Sequence, residues 1–136
     1  MVFDTKVAIL VLNDLAVWQK LNVTAFLATG IAAAAPEAMG EPYEDAAGRQ
    51  HAPLLGQPIL MFAANTEALQ RAWRQAIERG LTRAAYVRAM FSTGHDAANR
   101  AVFMQEPADA PDLVGLALHG LRKDVDSATI GLPLHS

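Results

Sequence analysis

The stretch KVAILVLN, Lys6 to Asn13, constrains the fold more than any other. It is a continuous run of β-branched residues, alanine and leucine with no polar alternation. A strand of this kind is buried on both faces, so it belongs in the middle of a sheet covered by helices on either side. The run is too short to cross a bilayer, which takes about 20 apolar residues. Asp4 and Lys6 in front of it, and Asn13 and Asp14 behind it, do not form the pattern of a cleaved leader.

Three further runs have strand character: PILMFAA (Pro58–Ala64), AAYVRAMF (Ala84–Phe91) and LVGLALHG (Leu113–Gly120). Helical spacing falls between them. Val23, Phe26, Leu27, Gly30, Ile31 and Ala34 recur on one helix, with Asn22 as its N-cap and Pro36 as its stop. NTEALQRAWRQAIERG reads as a second helix, capped by Asn65 or Thr66, striped by Leu69, Trp73, Ala76 and Ile77, and closed by Gly80. Thr93 with Asp96 is a variant capping box that opens a third helix from Gly94 to Met104. A fourth carries Leu121, Val125 and Ala128 and ends at Gly131. Between the first helix and the second strand, Asp45-Ala46-Ala47-Gly48 predicts the turn of a small hairpin. Such alternation favours one α/β domain over residues 1–136, with helices on both faces of a mainly parallel sheet.

A chain of 136 residues is long enough to bury a core without staples. The absence of cysteine excludes disulfides and thiol catalysis, and suits a cytoplasmic location. A net charge of −3 and a pI of about 5.7 argue against a nucleic-acid partner. Arg71, Arg74, Arg79 and Arg83, interleaved with Glu67 and Glu78, read as a solvated face.

Two strand-end segments carry candidate chemistry. In RAMFSTGHDAANR, residues Ser92, Thr93, His95 and Asp96 crowd at the carboxyl end of a strand, where open α/β sheets bind ligands. The simpler account is structural: Thr93 caps the helix and Asp96 faces its positive end. The same amide end also attracts anions. In NDLAVWQKLN, residues Asp14, Lys20 and Asn22 follow the central strand, and a lysine there suits a carboxylate or phosphate. As an alternative, Lys20 is a surface lysine and Trp18 a lid on the core. His51, His95, His119 and His135 lack metal-ligand spacing, so no metal is expected unless loops converge, for example His119 on His95 or Asp14. No motif for a cofactor, a phosphate loop or a nucleophile elbow is present.

KVAILVLNDL followed by WQKLNVTAFLATG resembles the start of type II peptidyl-tRNA hydrolases, and the resemblance resumes at Pro58, NTEALQRAWRQAIERGL, AAYVRAMF and LALHG. PYEDAAGRQH and LALHGLRKDV more closely resemble a small bacterial family of that fold with no assigned function. The resemblance implies a three-layer α/β/α sandwich with a four-stranded mixed sheet. Residue by residue, Lys20 stands where the hydrolases carry a lysine, and Arg88 and Thr93 match their arginine and threonine. Ala89 stands in place of their aspartate, Met90 and Phe91 replace a small pair, and Thr24 and Leu27 replace Gln and His. Ester hydrolysis needs a group that orients or deprotonates water, and alanine does neither.

The expectation is therefore a small anionic or polar ligand, held in a strand-end cleft by Lys20 and the Thr93 amide end, with Asp14, Asn22, Ser92, His95 and Asp96 around it. The alternative is a hydrolase of peptidyl-tRNA or another acyl ester. Lys20 would then stabilise negative charge, Thr93 would position water, and His95 or Asp96 would serve as base. A third reading is a homodimeric interaction domain, since the resembling family is often dimeric.

Overall fold

A computed structural model describes residues 3–136. Strand β1 (Thr5–Leu12) is the apolar run, and its last six residues are buried. It lies inside a four-stranded sheet of order β4-β1-β6-β5, with β4 at Ile59–Ala64, β5 at Thr82–Val87 and β6 at Leu113–Leu121. β1 runs parallel to β4 and antiparallel to β6, and β6 runs antiparallel to β5. The sheet is thus mixed rather than mainly parallel. The fourth strand enters between β1 and β5 instead of adding at an edge. β4, expected as a buried strand, is an edge strand with Ile59 exposed.

Helix α1 (Val17–Ala34) covers one face of the sheet. Gly115 of β6 faces it so closely that an added Cβ would lie 2.4 Å from Val23 Cγ1. Gly120, of opposite parity, faces Leu81, which follows helix α2 (Thr66–Glu78). Lys6 pairs with Asp126 of helix α4 (Arg122–Ala128), so α2 and α4 share the second face. Asn65 caps α2 by accepting the Ala68 N–H at 2.8 Å. α4 is shorter than the spacing predicts, because Leu121 still belongs to β6.

α1 begins five residues before the expected cap. The Gln19 side chain accepts the Ala16 N–H at 3.0 Å, and Lys20 N–H starts the helical ladder on Ala16 O. Asn22 is therefore an interior helical residue, and its side chain serves another partner. β5 ends at Val87, where a bulge interrupts its pairing, and Arg88–Ser92 turn as a 3-10 helix. Met90 and Phe91 are turn residues, not strand residues. Helix α3 (Asp96–Met104) starts later than expected and is capped by His95, whose Nδ1 accepts the Ala98 N–H at 3.2 Å. Thr93 is not the cap: its hydroxyl donates to Met90 O at 2.9 Å.

The hairpin forms between β2 (Tyr43–Glu44) and β3 (Gln50–His51). Gly48 takes φ +84° at its turn, a conformation that glycine adopts without a Cβ penalty. Asp45 accepts the N–H groups of Ala47 and Arg49, and it also holds the Arg49 and His51 side chains. His51, then the Arg49 amide, holds this carboxyl at about 2, below the ordinary 3.8.

Candidate functional site

A cleft of about 320 Å³ opens between the first turns of α1, the end of β5, the 3-10 turn and the start of α3. One side is aromatic. Trp18 meets Phe91 edge-on at 5.9 Å between ring centroids, Phe91 lies 5.3 Å from Tyr86, and Tyr86 lies 6.1 Å from Phe26. Trp18 is 62% exposed and Phe26 56% exposed, so both present ring surface to solvent.

The polar side is built from Asn22, Thr93, His95, Asp96 and Asn99. Asn22 Nδ2 donates to the Tyr86 hydroxyl at 3.4 Å. Burial raises the Tyr86 pKa and the Asn22 bond opposes this only in part, so the phenol keeps its proton and remains a donor at neutral pH. Thr93 Oγ1 also meets Asn99 Oδ1. Asp96 is ion-paired to Arg100 at 2.7 Å, with both side chains largely exposed. His95 commits Nδ1 to the helix cap, so its neutral ring carries the proton on Nε2 and offers a donor there.

The structure therefore gathers Asn22, Thr93, His95 and Asp96 of the expected set around one cleft. It does not bring Lys20 there. Lys20 Nζ lies 3.0 Å from His135 Nε2, on the side of the C-terminal residues. Asp14 sits exposed in the turn after β1, and Ser92 is exposed outside the lining. His119 is 5% exposed within β6 and meets neither His95 nor Asp14. Its paired neighbours are Val7 and Thr82, and its Nε2 has no hydrogen-bond partner among the described residues. Among the described residues, no group of three or more His, Asp or Glu side chains converges as a metal site would require. Of the arginines read as a solvated face, three turn to separate partners: Arg71 donates to Ile130 O, Arg79 pairs with Asp124, and Arg83 donates to Leu81 O.

Sequence reading missed Tyr86, Phe26 and Asn99. Tyr86 and Phe26 read as core positions, while Asn99 lies one helical turn beyond His95, a spacing that places both on one face. It also missed a larger cavity of about 510 Å³ between α1, β1 and the root of the hairpin, lined by groups such as Ile31, Met39, Leu54 and Leu55. A backbone clasp shapes it, Gly40 N–H to Leu54 O and Gly56 N–H to Ala38 O. Its wall contains no titratable side chain, whereas His95 and Asp96 line the smaller cleft.

This arrangement defines an α/β protein with a strand-end cleft that is aromatic on one side and polar on the other. The chain belongs to DUF2000, a family described as protein of unknown function, whose model matches residues 5–136. It is similar to a solved structure of a protein of unknown function, Atu0240 from Agrobacterium tumefaciens strain C58. The two share 50% sequence identity with a TM-score of 0.94, covering 99% of this chain and 100% of that one. No curated protein matches the chain.

Proposed function

We propose that this chain is a small-ligand-binding module whose cleft takes a polar molecule with a flat apolar face. The observation that carries this reading is the exposed Trp18 and Phe26 rings opposite the Asn22, Tyr86, Thr93 and His95 polar groups. Clefts that bind small molecules combine apolar walls with a few placed polar groups. An anionic substituent would meet His95 Nε2–H and the first amides of α3, without help from Lys20.

The test is a thermal-shift screen of polar aromatic and heterocyclic metabolites. A ligand present at one hundred times its dissociation constant stabilises the native state by about 2.7 kcal/mol. That shift should disappear in Trp18→Ala and shrink in Asn22→Ala. A shift that survives both substitutions would place the ligand elsewhere and overturn the reading.

The resemblance to type II peptidyl-tRNA hydrolases supports the same fold and a second reading, hydrolysis of peptidyl-tRNA or another acyl ester. In its favour, Thr93, His95 and Asp96 line one cleft. Against it, the His95 lone pair is engaged by the Ala98 N–H, so His95 acts as a base only by uncapping α3. Single-turnover hydrolysis by the wild type that is lost in Thr93→Ala would favour this reading over simple binding. A homodimer is supported by Val17 and Leu21, which leave an apolar face of α1 exposed.

A further inference from the structure

The cavity of about 510 Å³ at the root of the hairpin is built differently from the polar cleft. Its floor is core: Val7 and Ile9 of β1 and Ile31 of α1 line it and are buried. Its mouth lies at Leu54 and Ile59, which are 59% and 39% exposed. Side chains of a protein core ordinarily pack such gaps away. Here the backbone holds the wall in place. Gly40 N–H bonds Leu54 O at 2.8 Å, Gly56 N–H bonds Ala38 O at 2.7 Å, and Met39 bridges Leu55. A Cβ on Gly40 would lie 3.2 Å from Leu54 O, and one on Gly56 3.2 Å from Gly40 N. Two glycines thus let the segments approach this closely, and the clasp fixes Met39, Leu54 and Leu55 as one wall. Ala28 and Ala32 of α1 also line the cavity, and their small side chains leave space that a larger residue would fill.

The lining restricts what fits. It contains no titratable side chain, so a charge placed there would lose water and gain no partner. Its polar side chains are Thr29 and Gln57. Thr29 Oγ1 donates to Phe26 O at 2.7 Å. Gln57 Oε1 accepts the Thr5 hydroxyl at 3.1 Å, while its Nε2 has no partner among the described residues. Small-molecule sites span about 300–1,000 Å³ and combine apolar walls with a few placed polar groups. This cavity has that size and that make-up.

We propose that the cavity binds an uncharged, largely aliphatic small molecule, with its chain on Val7, Ile9 and Ile31 and its hydrogen-bond acceptor on Gln57 Nε2. The inference goes beyond the cleft reading and does not depend on it, since the two sites share no lining residue.

The probes are n-octanol and octanoate, which share a chain length and differ in charge. The readout is the methionine methyl resonances of the intact, methyl-labelled protein. Octanol should shift Met39 saturably. It should leave Met90 of the polar cleft in place, and also Met104, which is 87% exposed. From hexanol to octanol, each added methylene should tighten binding about fourfold. Octanoate should bind about tenfold more weakly or worse, because its charge finds no partner. Gln57→Leu should weaken octanol about fivefold, the value of one hydrogen bond. Ala32→Phe should fill the space and abolish binding. If that variant does not fold, Ile59→Trp at the exposed rim carries the same test. No saturable shift at Met39, equal movement of Met104, octanoate binding as tightly as octanol, or indifference to Gln57→Leu or to the filling variant would each overturn the proposal.

Discussion

The β4 and β5 edges show how one sheet handles the same hazard in two ways. Each edge presents a row of outward backbone groups that templates pairing with another chain. At β4 the chain closes the row itself. Ala63 N–H donates to Pro133 O at 3.2 Å, His135 N–H donates to Met61 O at 2.9 Å, and Leu134 bridges Phe62. The side chain of His135 then reaches Lys20 of α1. At β5 no segment among the described residues takes that place, and α1 and α3 flank the edge. The contrast separates an edge closed for stability from an edge left available, and it explains why Lys20 serves the first and not the cleft beside the second.

The largest expected effect tests the wall over β5. A Cβ on Gly115 would lie 2.4 Å from Val23 Cγ1 and 3.0 Å from Leu27 Cδ1. Val23 is β-branched and held to one rotamer in a helix, so α1 must lift. Gly115→Ala should cost about 3 kcal/mol, the upper part of the usual overpacking range, measured by urea unfolding. A change under about 0.5 kcal/mol, the size of an ordinary surface substitution, would show that α1 is not seated on β6 as described. Removing Pro133–Ser136 tests the closed edge. Two backbone hydrogen bonds at about 1 kcal/mol each give a loss of about 2 kcal/mol, with new self-association in sedimentation velocity. Unchanged stability and a monomer would mean that the strap does not close β4.

The sequence displays the sheet core well and the edges poorly, for a physical reason. A run such as Val7–Leu12 advertises burial on both faces, and that alone places β1 centrally. Asn65 and Gly80 likewise mark the ends of α2, since caps are local chemistry. Strand order is not local. Nothing in Leu113–Leu121 says that it inserts antiparallel between β1 and β5, and nothing in LPLHS says that it straps β4. The cleft was legible in part. Thr93, His95 and Asp96 lie close in sequence and stay together, whereas Lys20 was placed by the start of α1. Polar Asn22 suggested a cap there, but the helix already starts at Val17, where Gln19 reaches back to the Ala16 N–H. Tyr86 and Phe26 were hidden because aromatic residues on apolar stripes read as core.

The smallest effect concerns the outer wall of the open edge. No residue of α3 is fully buried, so its first turn depends more than usual on local bonding. His95 supplies that bond, accepting the Ala98 N–H, while Thr93 is turned to Met90 O. His95→Ala should cost about 1 kcal/mol, the ordinary value of a lost N-cap. His95→Asn should restore most of it, because a carboxamide oxygen accepts the same amide. Read by hydrogen exchange, Ala98 should exchange about fivefold faster in His95→Ala, if the whole loss falls on local opening of α3. Thr93→Ala should leave that amide unchanged. The opposite ranking, with Thr93→Ala opening α3 and His95→Ala silent, would restore Thr93 as the cap. It would also free the His95 lone pair to act as a base in the cleft, so this small difference separates binding from hydrolysis.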